Sequence, residues 1–469
     1  MLHQIKGLSQ GAKASIALFI SSIVTKGISY LTTPIYTRLL SSEEFGQVSI
    51  FLTWQNVFGI IAMFSLTNGV FNNGMVDYPQ KRYEYSNSML GLSNLITLVT
   101  LIILIAVYPM ITNYIQLEPE YILLMFILFI FQPAFNFWSS KERYELKWKK
   151  LTLYSILFAI ASPLCAIACI YMFANNRLPA RIFGAEIPLI IGYIAFYFFI
   201  AKKANFKIDT RFWKEAFFFN LPLLPHYLSA LLLGCSDSLM ISHYIGFSAT
   251  AYYSIAYSIS TIVMVLWNAV NASLIPYTYE HCKNGDFASV AKVTYPILYL
   301  FAAITFFATL LAPEIISILA TREYTDAIYC IPPIMVGVFF QVLYYIFANV
   351  VFFFKRPKYV MVASVTATAL NIILNSIFIP RYGYLAAGYT SLLCYFIQAM
   401  IDYFALRLVL KKNLYSTKIL VSVSIVVIIL GGISIILYDN CLIRYITILL
   451  LCVILFVKRN QLQTIIKIR

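Results

Sequence analysis

Charge is what this chain has least of. Aspartate, glutamate, lysine and arginine make up 11% of its 469 residues, less than half the roughly 25% of a soluble domain. A surface facing water cannot be covered with so few. Long stretches between the apolar runs are missing too, and an enzyme that polymerises glycans outside the membrane needs such a stretch to hold its chemistry. No Walker A pattern, GxSxG, HExxH or dinucleotide fingerprint occurs, so nothing points to direct drive by ATP, to hydrolysis or to hydride transfer. The eight cysteines lie mostly within apolar segments and none belongs to a metal-spaced set. Cys165 and Cys169, one helical turn apart, read as small core residues. No disulfide framework, metal or cofactor is expected, and the chain is not expected to be an enzyme.

What is present is apolar sequence: 61% of residues are hydrophobic and the mean hydropathy is +0.81. About 20 apolar residues cross a bilayer as a helix. About fourteen segments of that length can be marked, centred near 12–36, 45–66, 87–109, 120–138, 151–173, 182–201, 216–240, 249–276, 292–312, 328–354, 359–379, 384–406, 419–437 and 442–457. The fold class expected is therefore an all-α polytopic membrane protein with about 14 transmembrane helices. The first segment is too long, and carries Lys26, so it does not read as a cleavable signal. The net charge of +15 does not indicate nucleic acid, because the basic residues sit in short clusters between apolar runs. With the N-terminus placed in the cytoplasm, 27 of the 34 basic residues fall in inside loops, six fall outside and Lys26 stays within a span. That asymmetry predicts cytoplasmic N- and C-termini. The clusters SSKERYELKWKK and KKANFKIDTRFWK suit contact with anionic membrane lipids.

The turn after the first span reads LLSSEEFGQVSI (Leu39 to Ile50), and the turn after the seventh reads YIGFSATAYYSI (Tyr244 to Ile255). Both close on Ser-Ile, six spans apart, as parallel repeats would. The stretch PIYTRLLSSEEFGQVSI, Pro34 to Ile50, resembles the first-hairpin signature of the polysaccharide and O-antigen flippases of the multidrug/oligosaccharidyl-lipid/polysaccharide exporter superfamily. The run LNIILNSIFIPRYGYLAAGYTSLLCYF, Leu370 to Phe396, is similar to the same family, with Asn371, Asn375, Pro380, Gly383 and Gly388 in matching places. Ala251 departs from the pattern, where the first hairpin has Gly46. The resemblance implies two six-helix lobes around a central cavity, 1–205 and 206–412, with two further helices and a tail at 413–469. It implies alternating access and translocation of undecaprenyl-diphosphate-linked oligosaccharide, for O-antigen, capsule or other exopolysaccharide, across the bacterial inner membrane. The expected partners are the lipid-linked oligosaccharide, membrane lipids, H+ or Na+, and the polysaccharide polymerase and glycosyltransferases of the same pathway.

Such a substrate needs a polar, preferably cationic path. Ser22, Lys26, Ser29, Thr33 and Thr37 recur at spacings of four, three, four and four, one face of a helix. A charge at the centre of a span costs about 2.5–3.5 kcal/mol on insertion scales, so Lys26 reads as a cavity residue drawn to the diphosphate, or as half of a structural pair. Arg38, at the end of the same span, reads as a diphosphate contact or a helix anchor. Pro222 and Pro225 predict a kink in the seventh span. Beyond them His226 and Asp237 are coupling-ion candidates. Asp237 reads equally as a proton or cation site, a mate for Lys26, or a solvated cap near the outer surface. His226 titrates near neutrality or is a hydrogen-bonded core residue. Tyr257, Asn268 and Asn271 share a face of the eighth span, and Asn56 lies beside Gln55 on the second; all five suit sugar hydroxyls or interhelical hydrogen bonds. Two other readings stay open: a multidrug or cation exporter of the same fold, which predicts an acidic cavity, and an integral-membrane glycan polymerase, which predicts a long outer loop. A lipid-linked peptidoglycan-precursor flippase lies between them.

Overall fold

In hydrocarbon a backbone must satisfy its own hydrogen bonds, which leaves helices as the simplest spanning element. The computed structural model describes residues 10–67, 70–411 and 413–457, and among them no strand occurs. The chain divides into two compact units, Met1–Leu231 and Leu232–Arg469.

Unit 1 runs through α1 (Gln10–Leu39), α2 (Ser42–Ala62), the short α3 (Val70–Asp77), α4 (Arg82–Ile115), α5 (Pro119–Tyr144), α6 (Trp148–Met172), α7 (Arg177–Lys203) and α8 (Arg211–Asn220) to the first turns of α9 (Leu224–Tyr244). The hairpin between α1 and α2 follows from its sequence. Ser41 caps α2 and Glu44 returns the bond to the Ser41 backbone, a complete capping box. The core is aromatic: Phe71 stacks on Phe137 with centroids 4.5 Å apart, and Trp138 meets Phe196 at 4.7 Å. Lipid tails give helices little hydrophobic reason to associate, so close packing at small residues matters. A Cβ on Gly184 of α7 would lie 2.9 Å from both the Ala166 Cα and the Cys169 Cβ of α6, which gives Cys169 the small-residue role expected of it.

At the end of α5 the basic cluster is knitted together rather than simply solvated. Glu145 accepts from Arg82 at 3.2 Å and Lys147 at 2.6 Å, and pairs with the buried Lys141 at 3.2 Å. Burial pushes the Glu145 carboxyl up, but the bonds from Lys147 and Lys141 outweigh it and hold the group below its ordinary value.

Unit 2 comprises the rest of α9, then α10 (Phe247–Lys283), α11 (Phe287–Leu310), α12 (Ala312–Leu319), α13 (Ile331–Phe353), α14 (Pro357–Tyr382), α15 (Leu385–Phe404), α16 (Thr417–Ile436) and α17 (Cys441–Val457). The most enclosed of these is α13, buried along nearly its whole length. It packs on α15 at glycines: a Cβ on Gly337 would stand 3.3 Å from the Leu392 Cα, and one on Gly388 would stand 3.0 Å from Pro333. The turn before α10 uses Gly246 at φ +123°, a conformation that favours glycine. The two similar hairpin sequences thus close by different means, one by a capping box and one by a glycine.

Among the described residues, eleven helices are long and apolar enough to cross a membrane, or twelve if α8 and α9 count as one broken span. Those two are bent by 50° at the Pro222/Pro225 break, where the prolines predict a kink. The described residues do not by themselves fix the expected count of about fourteen. The residues before Gln10, where α1 begins, lie outside the described ones, and the described part of α17 is only 17 residues long.

Candidate functional site

Each unit holds polar side chains at membrane depth, and they are used differently. In unit 1 they line cavities. The first, of ≈ 450 Å³, is enclosed by α1, α2, α6 and α7 and lined by Ser29, Thr32, Thr33, Tyr36, Ser162 and Arg181 among others. Arg181, half-buried on α7, lies with its guanidinium carbon 4.0 Å from the centre of the Tyr36 ring, a cation–π contact. Tyr36 is fixed in turn by donating its hydroxyl to Pro163 O at 3.3 Å. The Nε of Arg181 is buried without a hydrogen-bond partner. Glu186, on the same helix, is buried and makes no ion pair with it among the described residues. A guanidinium with open donors beside several hydroxyls is an arrangement that accepts an anion.

The second cavity, of ≈ 380 Å³, is lined by Gln55, Asn56, Ser65, Thr67, Gln132 and Asn136, with Phe129 alongside. Four amides and two hydroxyls around one aromatic face offer donors and acceptors in both senses, which suits a polyhydroxylated group. Asn56 is therefore a cavity residue. Gln132 and Asn136 on α5 and Arg181 on α7 join these sites without having stood out in the sequence.

The α1 stripe is less enclosed. Lys26 is exposed, a Cβ on the adjacent Gly27 would touch nothing within 4 Å, and no carboxylate pairs with Lys26 among the described residues. Ser22, Ser29 and Thr33 donate back to carbonyls of their own helix, at 3.0, 3.4 and 3.0 Å. Arg38 donates to Pro34 O at 2.6 Å, which makes it a cap on the last turn of α1.

In unit 2 the polar groups turn on one another. Asp237, only 1% exposed, is not a solvated cap. One carboxylate oxygen accepts from Asn371 at 3.1 Å and Asn375 at 2.7 Å; the other accepts from Ser391 at 2.6 Å and Tyr253 at 2.5 Å. A buried carboxylate is stable only if its lone pairs are met, and here helices α10, α14 and α15 meet all of them. The Asn371 carbonyl accepts from Ser236 at 2.5 Å, and the Asn375 carbonyl accepts from Thr390. All these partners belong to unit 2. Tyr257 stacks against Tyr253 with centroids 6.0 Å apart, so it borders this cluster. Asn271 accepts from Asn349 of α13 at 2.7 Å and joins two helices, while Asn268 is exposed. His226 lies on α9, and its side chain is outside the described residues.

Comparison with known proteins agrees with this architecture. The chain is similar to a protein of the Lsg locus of Haemophilus influenzae, 21% identical over 375 residues, spanning 77% of this chain and 89% of that one. Its fold is shared by the lipid II flippase MurJ in an inward closed conformation, with a TM-score of 0.69, 16% identity and coverage of 95% and 99%. It is shared also by an inward-facing multidrug resistance MATE transporter of the MOP superfamily, with a TM-score of 0.58, 12% identity and coverage of 85% and 98%. Residues 12–281, more than half of the chain, match the family described as polysaccharide biosynthesis protein. The chain thus belongs to that family.

Proposed function

We propose that this multi-pass membrane protein flips undecaprenyl-diphosphate-linked oligosaccharide from the inner to the outer leaflet of the bacterial cytoplasmic membrane by alternating access, with both termini in the cytoplasm, and that it carries out no covalent chemistry. The observation that carries this reading is the character of the unit 1 cavities. One offers the open donors of Arg181 and a row of hydroxyls, which suit a diphosphate; the other offers the amides of Asn56, Gln132 and Asn136, which suit a sugar. The lipid tail needs no protein path, because it can remain in the bilayer. An exporter of organic cations would want carboxylates where Arg181 stands, and a polymerase would want a large outer domain. The Lys26 stripe supplies a further exposed cation for attracting the headgroup.

Energy for uphill movement fits the Asp237 cluster. A carboxylate, two carboxamides and two hydroxyls (Ser391 and Thr390) form an all-oxygen set for Na+ or a ready acceptor for H+. Half a turn of the Asn371 and Asn375 amides would present their oxygens to a cation. When bound, the ion would neutralise the one carboxylate of this cluster.

The test is reconstitution. Purified protein in liposomes carrying a fluorescent undecaprenyl-diphosphate oligosaccharide is expected to move it between leaflets, with Arg181→Gln and Lys26→Ala moving it more slowly. Failure to move any lipid-linked sugar, together with export of an organic cation, would replace this reading by the multidrug one.

A further inference from the structure

Below the Asp237 cluster, toward the end of α15 that leads to Arg407 and Lys411, unit 2 contains a second carboxylate that none of the foregoing uses. Asp402 is 0% exposed, and neither of its carboxylate oxygens has a hydrogen-bond partner. It forms no ion pair among the described residues. One turn back on the same face of α15 stands Gln398, 3% exposed, whose side-chain carbonyl is also buried without a partner. Its amide nitrogen is occupied, donating to the Ser364 hydroxyl at 3.1 Å. Three buried acceptor atoms therefore lie on one face of one helix with no donor for any of them.

An ionised carboxylate without a partner is among the costliest groups to bury, and the usual relief is to take up a proton. The neighbours offer no other relief. Tyr344 of α13 already shares its hydroxyl with Ser364 at 3.2 Å. Thr368 of α14 donates to its own helix at 2.9 Å. Arg407, in the π-helical turn that follows α15, is taken up by Tyr403, Asn413 and Thr417. A neutral carboxylic acid at 402 removes the buried charge, and its O–H adds a donor to a helix face on which the Gln398 carbonyl lacks one.

We propose that Asp402, with Gln398, is a proton-binding site of this protein, separate from the Asp237 cluster and occupied by H+ at neutral pH. The two sites lie on one polar seam. Ser364, Thr368, Asn371 and Asn375 follow one another at spacings of four, three and four on α14, Ser391 and Gln398 of α15 bond to Asn371 and Ser364, and Asp402 lies one turn beyond Gln398. Any part Asp402 plays in driving transport rests on the flippase reading; its protonation does not.

The experiment is infrared difference spectroscopy of the purified full chain in water and in heavy water across pH 5–9. A carbonyl stretch from a protonated carboxylic acid is expected near neutral pH, lost in Asp402→Asn and retained in Asp237→Asn. An Asp402→Asn spectrum that keeps the whole wild-type signal overturns the proposal. So does removal of the Asp402 signal by Na+ at constant pH, which would make the ligand a metal cation. Should the asparagine variant not fold, Asp402→Glu is expected to displace the band, and a glutamate spectrum superimposable on wild type overturns the proposal equally. None of these readings depends on transport, so a failure of flipping in liposomes would remove the functional reading and leave this one standing.

Discussion

Arg181 in unit 1 and Asp237 in unit 2 solve one problem in opposite ways. Each is an ionisable side chain where a helix should be apolar. In unit 1 the guanidinium of Arg181 keeps a buried donor open beside a cavity, and the amides Gln132 and Asn136 line another. In unit 2 the carboxylate of Asp237 is closed in by four donors from three helices. A polar group left open costs stability and is kept for what it can bind; a polar group fully met contributes to holding helices together. The difference teaches where to look for substrate and where to look for a switch. Unit 1 has the vacant hydrogen-bonding capacity a diphosphate and a sugar require, and unit 2 has the tightly tuned acid that a small cation can address.

Substitution should separate the two. The largest effect is expected from Asp237→Ala. It removes the acceptor of the Ser391 and Tyr253 hydroxyls and one of the two acceptors of the Asn371 and Asn375 amides, and each buried orphan costs about 1–3 kcal/mol. Thermal unfolding in detergent should show a loss of several degrees, and transport should fall with it. Asp237→Asn preserves the shape and should spare much of the stability while abolishing dependence of transport on the coupling ion. Next is Arg181→Gln. Its headgroup flipping should fall about tenfold, equivalent to about 1.4 kcal/mol, with little change in melting temperature. Arg181→Lys should lie between, since an ammonium restores charge but not the planar fork. If Arg181→Gln melted as early as Asp237→Ala, the contrast between an open unit and a closed one would be lost.

Part of this was legible in the residues and part was not. The spans could be read because apolar runs of about twenty residues have one meaning in a chain with so little charge. The capping box at Ser41 and Glu44 and the break at Pro222 and Pro225 are local, so they too could be read. Asp237 stood out because a carboxylate in an apolar run is costly. Asn371 and Asn375 were visible as a motif. That they meet Asp237 was not, since they lie 134 and 138 residues away in sequence and periodicity gives a helix's face without saying what faces it. Arg181 was hidden by position. It follows Arg177 by one turn, just before the apolar segment 182–201, so position alone gives it nothing beyond a loop charge; the ring of Tyr36 and the cavity beside it give it another role. Lys26 shows the converse. A charge within an apolar span stands out in the sequence, and the residue sits exposed on α1.

A smaller effect should sharpen the reading of the amide cavity. Gln132→Ala and Asn136→Ala each remove hydrogen bonds that a sugar would make, worth about 0.5–1.5 kcal/mol apiece. Titration with lipid-linked oligosaccharides of different composition should show few-fold losses of apparent affinity that vary with the sugar. Losses identical for every sugar, and equal for undecaprenyl diphosphate alone, would move the sugar site elsewhere.

The smallest expected effect tests whether the basic end of unit 1 is a structural clasp. The carboxyl of Glu145 is held below its ordinary value by Lys147 and Lys141 in the folded protein. A group depressed in this way contributes stability that is fully present above its unfolded pKa and is lost as pH falls through the folded value. Melting temperature of the wild type should therefore decline as pH is lowered through and below the ordinary carboxylate range, and Glu145→Gln should flatten that part of the profile. The ion pairs are only partly shielded from solvent, so the difference should stay within about 1 kcal/mol and shrink in high salt. A Glu145→Gln protein whose acid-side profile matched wild type would show that the cluster of Arg82, Lys141 and Lys147 needs no carboxylate at its centre. The basic residues there would then be free to meet anionic lipid, and unit 1 would be as open at its membrane surface as it is in its cavities.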